Sequence, residues 1–261
     1  MLLRSKDKID MKDTLKNFPS AKYAVIVLRT LKVHPWQRLK QLTSYFSDYR
    51  KYRRLNPNEN YTLKTADLFP RIKDKTQSHN IDPVYFIQGA WCMRKIFESR
   101  PKKHVDVASQ AQMVGIISQF TPTTMVDIRP LSVSLPNLSF IRGDITHLPF
   151  RDGEIDSLSS ICVIEHIGLG RYGDHLDQFG TEKAASELCR VLAKGGSLYI
   201  SVPVDKESKI YFNAHRAFTR DHVLSLFGDL RLAEELYIYG KETENAYDPS
   251  CFGTGLYHFI K

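Results

Sequence analysis

The hydrophobic pattern of the chain is clearest between residues 155 and 204. Residues 155–163 contain apolar and β-branched side chains with small hydroxyl residues interspersed, which is typical of a strand covered on both faces in a parallel sheet. Apolar residues at spacings of three and four then predict a helix that Thr181 caps and Gly195 ends, and residues 196–204 alternate as a second strand. This order predicts a βαβ unit in an open α/β sheet, where ligands bind beyond the carboxyl ends of the strands.

Shorter apolar runs on both sides of this unit predict the other elements of the sheet. Strands are predicted at residues 105–109, 123–129, 138–144, 230–239 and 255–260. Helices are predicted over residues 83–100 and, capped by Thr219, over residues 218–227. The last two strands alternate as an antiparallel pair does, so we expect them to close one edge of the sheet.

The front of the chain has a different pattern and most of the positive charge. Residues 22–55 predict a helix that Pro35 divides, with Trp, Phe, Tyr and Leu among Lys and Arg, and residues 56–80 predict a linker. Residues 1–103 hold 23 Lys and Arg against 9 Asp and Glu, a net charge of +14 within a total of +8. Such a segment attracts an anionic membrane surface or a nucleic acid, and a solvated basic face is the alternative.

The apolar face of the basic helix admits several partners. It can lie in a membrane interface, pack on the main domain, or pair with a second copy of the chain in a homodimer. The start of the chain lacks the apolar core of a secretory signal, and residues 23–33 are far fewer than the roughly 20 that span a bilayer. The four cysteines have no CxxC spacing. We therefore expect reduced thiols in a cytoplasmic protein, with at most a peripheral contact at the inner membrane face.

Acidic residues occur in the first two predicted strands at a spacing known from nucleotide-binding sheets. Asp127 lies 21 residues beyond Asp106. In such sheets, an acidic residue about 20 residues after the first turn binds the ribose hydroxyls of the nucleotide. The spacing therefore predicts a nucleotide site with Asp127 at the ribose.

The turn after the first strand departs from the glycine-rich sequence that usually binds a nucleotide. Residues 106–112 read DVASQAQ, and the next glycine is Gly115. Glycine lets backbone amides approach a ligand closely. The side chains of Ala108 and Gln110 are expected either to narrow the site or, together with Ser109, to replace the missing contacts, and both alternatives stay open.

Several motifs in the second half of the chain resemble one enzyme superfamily. They are ICVIEHIG at residues 161–168, VLAKGGSLYISVPV at 191–204, FNAHRAF at 212–218 and GTGLYHFIK at 253–261. Together they resemble the class I S-adenosylmethionine (SAM) dependent methyltransferases, and more narrowly a methyltransferase-like bacterial family of unknown function that is associated with surface-polysaccharide genes. The resemblance covers about residues 83–261.

This resemblance implies a fold and a domain organisation. The expected fold is α/β and Rossmann-like, with a mostly parallel seven-stranded sheet, an antiparallel last strand and an N-terminal helical extension. Residues 81–261 then form the methyltransferase-like domain, and residues 1–80 form the basic helical extension and linker.

The resemblance also implies SAM as the cofactor and S-adenosylhomocysteine as its product. The expected cofactor-binding residues lie at or near the ends of the first four strands: Asp106, Ala108, Ser109, Asp127, Ile128, Asp144, Ile145 and Cys162. His166 is the predicted general base, with Glu165 beside it to orient the ring, and a purely structural pair is the alternative. The loops above the sheet supply the predicted acceptor-binding residues, which are Arg171, Tyr172, His215 and Arg216.

The sequence supports one functional hypothesis and two weaker ones. The first is methyl transfer to an oxygen or nitrogen of a small or glycan-type acceptor. The missing glycines favour the second, a non-catalytic methyltransferase fold that acts as a scaffold in a glycan-assembly complex. RNA methylation is disfavoured, and with it a nucleic-acid partner, because the chain has no recognised RNA-binding module. Acidic and histidine side chains crowd residues 165–177, but their spacing matches no zinc pattern, so no metal site is predicted.

Overall fold

The computed structural model describes residues 35–56 and 58–261, and the chain divides into two compact units at residue 80. In the first unit, helix α1 spans Pro35–Tyr52 and a single 3₁₀ turn spans Thr65–Asp67. The helix begins at the proline that divides the sequence pattern, and the predicted helical residues 22–34 lie outside the described residues. Among the described residues, no helix is long and apolar enough to cross a membrane.

Helix α1 leaves large apolar side chains exposed beside basic ones. Trp36, Leu39 and Phe46 are exposed, and the last turn carries Arg50 and Lys51. This combination agrees with the amphipathic basic pattern of the sequence. Contact with a membrane and pairing with a second copy stay predictions for this segment.

The second unit contains four α-helices, one 3₁₀ turn (Ile164–His166) and ten strands. The helices are α2 (Pro83–Ser99), α3 (Ala111–Ile117), α4 (Gly180–Val191) and α5 (Arg220–Leu226). The strands are β1 (His104–Val107), β2 (Thr123–Asp127), β3 (Leu138–Arg142), β4 (Ile155–Ile161), β5 (Leu192–Val204), β6 (Lys209–Tyr211), β7 (His215–Ala217), β8 (Arg231–Tyr239), β9 (Glu242–Glu244) and β10 (Gly253–Ile260).

Eight of these strands form one sheet in the order β3-β2-β1-β4-β5-β10-β8-β9. The first five are parallel, and β10 lies antiparallel between β5 and β8. The prediction of a mostly parallel sheet closed by an antiparallel pair is confirmed. The eighth strand, β9, was not predicted because all three of its residues are exposed and it has no apolar signal. Strands β6 and β7 form a separate hairpin, which was also not predicted.

Two boundary predictions around α4 are wrong for an identifiable reason. The helix ends at Val191 instead of Gly195, because Leu192 is already extended, fully buried and paired with Ile155 of β4. Thr181 does not cap the helix, since its hydroxyl donates to the carbonyl oxygen of Ile164 at 2.8 Å. The burial of Leu192 in the sheet thus ends the helix before the predicted stop at Gly195.

The other helix starts follow the sequence. Asp82 caps α2 by accepting the amides of Val84 and Tyr85, and Thr219 caps α5 by accepting the amide of His222. Helix α2 packs Trp91 into the core.

Candidate functional site

One cavity in the second unit collects most of the predicted site residues. Its volume is about 1040 Å³, and it opens beyond the carboxyl ends of β1, β2, β3 and β4. Small-molecule sites typically measure about 300–1,000 Å³, so the cavity is large enough for a nucleotide-sized ligand. The predicted site residues that line it are Ala108, Ser109, Asp127, Ile128, Asp144, Ile145, Cys162, His166 and Tyr172.

The turn that follows β1 leaves the cavity open although it contains no glycine. Ala108 adopts the left-handed conformation with φ of +57°, which costs a residue with a side chain about 1 kcal/mol or more. Its amide donates to Val126 O at 2.8 Å, and the hydroxyl of Ser109 accepts the amide of Ile161 at 2.9 Å. Neither the methyl group of Ala108 nor the side chain of Gln110 closes the cavity, which both residues line.

A buried hydrogen-bond network supports this turn from beneath. The fully buried carboxylate of Asp106 accepts the Ser109 amide at 3.0 Å and the Ser159 hydroxyl at 2.5 Å. Ser159 Oγ lies 2.9 Å from His104 Nε2, and His104 Nδ1 lies 2.8 Å from Ser157 Oγ. Burial raises the pKa of Asp106 to about 6 and lowers that of His104 to about 3. Asp106 positions the turn and does not itself line the cavity, and its cofactor-binding role stays a prediction.

Asp127 ends β2 at the cavity wall and is held by Arg129. Its Oδ1 accepts from the Arg129 backbone amide (2.7 Å) and from Nε (3.2 Å), and its Oδ2 accepts from Nη2 (3.1 Å). The Arg129 guanidinium also lies over the ring of Tyr172, 4.6 Å from its centroid. Because a carboxylate has about four lone-pair positions, one on Oδ2 stays available to a ligand hydroxyl.

The third and fourth strands are followed by Asp144 and Cys162. Asp144 Oδ1 accepts from the amide and the hydroxyl of Thr146, both at 2.8 Å, and Ile145 beside it is buried against the cavity. Cys162 has a φ of +52°, and its thiol donates to Gln88 Oε1 at 3.1 Å. Burial raises the pKa of this thiol, so it is uncharged at neutral pH. Gln88 of α2 thus positions the turn that holds Cys162, although it does not line the cavity.

His166 lines the cavity just after β4, and a backbone carbonyl orients its ring. Nδ1 lies 2.7 Å from the oxygen of Ala214; since a carbonyl oxygen can only accept, Nδ1 carries the proton and Nε2 does not. Burial lowers the pKa of His166 to about 4, so the ring is neutral at pH 7. Nε2 lies 3.6 Å from Glu165 Oε1, beyond hydrogen-bond distance. The orienting role predicted for Glu165 therefore belongs to Ala214.

Glu165 itself is a buried acid behind the cavity wall. Its side chain is 1% exposed, and Oε2 has no hydrogen-bond partner among the described residues. Burial raises its pKa to about 8, so the carboxyl group is protonated at neutral pH. A neutral carboxyl beside a neutral imidazole avoids placing an unpaired charge in the core.

Replacing Glu165 with glutamine is expected to change how stability depends on pH. The folded state holds this proton up to about pH 8, whereas the ordinary pKa is 4.5, so stability from this group is lost as the pH rises between these values. Glutamine does not titrate. The free energy of unfolding of Glu165→Gln relative to the unmodified protein should therefore rise by a few kcal/mol across this window and then level off. Denaturant unfolding at about pH 5, 7 and 9 measures it, and a difference independent of pH would contradict the raised pKa.

Arg171 and Tyr172 form a positively charged rim beside the cavity. Arg171 Nη1 donates to Ala214 O at 2.7 Å, and its guanidinium lies 5.1 Å from the centroid of the Tyr172 ring. The same ring contacts Arg129 and packs edge-on against His166, with centroids 5.5 Å apart. The rim thus brings two arginines to the mouth of the site, although Arg171 does not itself line the cavity.

Arg216 faces the backbone of a loop beside the cavity, and its acceptor-binding role stays a prediction. It is 7% exposed, and it donates from Nη1 to Ile167 O (2.5 Å) and from Nη2 to Asp177 O (3.1 Å) and Gln178 O (3.3 Å). These bonds hold the loop of residues 167–178, which contains Gly168, Gly170 and Gly173 and is called the glycine-rich loop below, along one side of the cavity. His215 also lies outside the cavity lining, and its buried Nε2 has no partner among the described residues.

Within this loop, acidic side chains accept hydrogen bonds from the loop's own backbone amides. Asp174 accepts the amides of Gly168 (2.7 Å), Gly170 (3.3 Å) and Tyr172 (3.2 Å). Within residues 35–56 and 58–261, no three His, Cys, Asp or Glu side chains are arranged to hold a metal ion.

Among the residues of the cavity wall that the sequence does not predict are Tyr85 and Arg129. Arg129 carries a weak signal, since it follows the ribose-binding candidate Asp127 by two residues. Tyr85 lies in the first turn of α2, and burial raises the pKa of its phenol. Its place in the cavity depends on how the helix packs, which no local pattern reveals.

A family model matches part of the chain. It is described as "Caenorhabditis protein of unknown function, DUF268" and matches residues 147–248. The description mentions no bacteria, polysaccharide or activity, so the expected bacterial, polysaccharide-associated family is not supported. No curated protein matches the chain in sequence.

Several solved structures with a similar fold are described as methyltransferases. The N-methyltransferase NodS from Bradyrhizobium japonicum WM9, in complex with S-adenosyl-L-homocysteine, has a TM-score of 0.50 at 12% identity, over 69% of this chain and 88% of its own. A second NodS structure has a TM-score of 0.50 at 13% identity, over 68% and 96%. A proposed sarcosine dimethylglycine methyltransferase from Galdieria sulphuraria has a TM-score of 0.50 at 14% identity, over 69% and 91%. At this identity the likeness shows the fold alone, which is the Rossmann-like fold of the class I SAM-dependent methyltransferases.

Proposed function

We propose that this chain is a SAM-dependent methyltransferase that acts on an oxygen or a nitrogen of a small acceptor. The observation that carries the proposal is the open cavity of about 1040 Å³ at the carboxyl ends of four parallel strands. Open α/β sheets bind their ligands at this edge. The structural neighbour NodS is described in complex with S-adenosyl-L-homocysteine, which supports SAM as the cofactor here.

The residues present fit an adenosyl ligand. Asp127 keeps a lone-pair position for a ribose hydroxyl, and the Thr146 contacts leave Asp144 Oδ2 unused for the adenine amine. Ile145 supplies a buried apolar side chain for the base. The left-handed conformation of Ala108 keeps the first turn open to the methionine part of the ligand.

The chemistry depends on positioning and on one candidate base. When bound, SAM supplies an electrophilic methyl group, and displacement at that carbon requires an in-line approach, so fixing the acceptor contributes much of the catalysis. His166 is neutral, and its unprotonated Nε2 can take the proton of an acceptor hydroxyl. The carbonyl oxygen of Ala214, which accepts from Nδ1, stabilises the charged ring that results.

A non-catalytic scaffold is the alternative function. The absence of glycine from the first turn favours it, whereas the open cavity supports ligand binding. A glycan-type acceptor and a glycan-assembly complex remain predictions from the sequence. Turnover of SAM with any acceptor would exclude the scaffold.

The purified protein is expected to bind S-adenosylhomocysteine, measured by calorimetry and by thermal shift. Asp127→Ala is expected to weaken this binding by about 10- to 100-fold, because a hydrogen bond to a charged group contributes roughly 1.5–3 kcal/mol. Asp156→Ala is the matched control, since it removes an exposed carboxylate near the amino end of β4, away from the cavity. No binding by the unmodified protein, or equal affinity in Asp127→Ala, would overturn the proposal.

A further inference from the structure

Three aromatic side chains meet beyond the carboxyl end of β5. The ring centroids of Tyr211 and His215 are 5.1 Å apart, and Phe252 packs against both, at 6.2 Å from Tyr211 and 5.9 Å from His215. Tyr211 is 40% exposed and Phe252 is 52% exposed. Single exposed apolar residues are common, whereas grouped ones mark interaction sites. These three residues are called the ring platform below.

The ring platform lies beside the candidate base. Its hairpin, β6–β7, is closed by Ala214, whose carbonyl oxygen accepts from both His166 and Arg171 at 2.7 Å. Its third member precedes Gly253, which pairs with Val204 at the carboxyl end of β5. The cavity and the ring platform therefore share one edge of the sheet, where a molecule next to the cofactor has to lie.

Cationic side chains flank the ring platform. Arg171 uses Nη1 for its bond to Ala214, and its other two guanidinium nitrogens make no hydrogen bond within the described part of the chain. Lys209 Nζ lies 5.4 Å from the centroid of the Tyr211 ring. Arg171 is exposed, so its unused N–H groups can bind an anionic group, and two parallel N–H bonds to a carboxylate are a strong arrangement.

Two carboxylates of this region already accept hydrogen bonds within the chain. Asp205 accepts from the hydroxyl of Tyr211 and from Lys209, both at 2.9 Å. Asp174 accepts three amides of the glycine-rich loop. A sugar presents many hydroxyl groups that each need an acceptor, and these side chains offer few. A flat ring that bears an anion fits the groups present better, since it can stack on the aromatic side chains and pair with Arg171.

We infer that the ring platform binds the acceptor, and that the acceptor is an aromatic molecule with an anionic substituent. The ring packs on Tyr211 and Phe252, and the anion pairs with Arg171. The buried Nε2 of His215 lacks a partner, and a hydroxyl on the bound ring can supply one. That the bound molecule is the acceptor rests on the proposed function, whereas the binding of the ring does not.

The test uses the full chain and three probes: para-hydroxyphenylacetate, the neutral para-cresol and methyl glucopyranoside. Each is titrated by calorimetry with and without S-adenosylhomocysteine. The aromatic acid is expected to bind best, and Phe252→Ala to weaken it about tenfold, while Phe252→Tyr retains the affinity. Arg171→Gln is expected to abolish the preference for the acid over para-cresol. Phe97→Ala, which removes a similarly exposed phenylalanine on α2, is the control and should change nothing.

Four results would overturn the inference. They are preferential binding of the glucoside, no binding of the aromatic acid, unchanged affinity in Phe252→Ala, and a preference for the acid that survives in Arg171→Gln. Binding of the acid without any binding of S-adenosylhomocysteine would instead reject the proposed function and leave the ring platform standing.

Discussion

Gly168→Ala is expected to destabilise the protein by about 2–4 kcal/mol and to weaken binding at the cavity, whereas Gly173→Ala costs about 1 kcal/mol. Both glycines have positive φ, +83° and +87°, so both substitutions share the strain of the left-handed backbone. Only at Gly168 would the new methyl group overlap the carbonyl oxygen of Asp177, while nothing lies within 4 Å of the position at Gly173. The difference between the two variants therefore isolates the close packing of the glycine-rich loop.

Denaturant unfolding of the two glycine variants provides the measurement, with the thermal shift by S-adenosylhomocysteine as a second readout. The loop supplies His175 and Asp177 to the cavity wall, so a displaced loop should reduce that shift in Gly168→Ala alone. Equal stability of the two variants would show that the loop adapts without loss, and would contradict the tight packing described here.

Arg216→Ala is expected to have a similarly large effect, a loss of about 3–5 kcal/mol. Its guanidinium is the shared donor to the carbonyl oxygens of Ile167, Asp177 and Gln178, and removing it leaves partly buried acceptors without that donor. Arg216→Lys should recover only part of the loss, because a single ammonium group lacks the planar fork that reaches all three.

Arg151→Ala is the matched control for Arg216→Ala. This arginine side chain is 91% exposed and pairs with Glu154 at 3.5 Å, a contact that contributes little in water. Unfolding in denaturant, followed by circular dichroism, compares the three variants. If Arg216→Ala proved as stable as Arg151→Ala, the loop would have to be held by other contacts.

The elements of the sheet were predictable because their signals are local. The strand β4 combines apolar residues with small hydroxyl residues and is buried at six of its seven positions, and β8 and β10 alternate, so each could be located to within about two residues. The end of α4 could not, since Leu192 joins the sheet only because Ile155 lies opposite it. Short polar strands such as β9 carry no pattern and depend on the pairing strand beside them.

Some residues of the candidate site could likewise be predicted from the sequence, and others could not. Asp127, Asp144 and His166 could be placed because they follow strand ends, and the topology brings such positions to one edge. The hydrogen-bond partners of Asp106 and Arg216 could not be predicted, because they depend on which way the side chain turns. Asp106 turns inward to Ser109 and Ser159, and Arg216 turns to loop carbonyls far away in the sequence. Spacing fixes the position of a residue along an element but not the partners that its side chain finds.

Ala108 shows that the turn after β1 can form without glycine. Glycine is usually chosen there for its freedom, yet here the fixed scaffold beneath, from His104 through Ser159 to Asp106, imposes the required dihedral angles on a residue that would otherwise avoid them. An alanine also has fewer conformations to lose when the chain folds. Searches keyed to a glycine fingerprint would pass over any protein assembled in this manner, so nucleotide pockets of this shape should be sought by their supporting network as well.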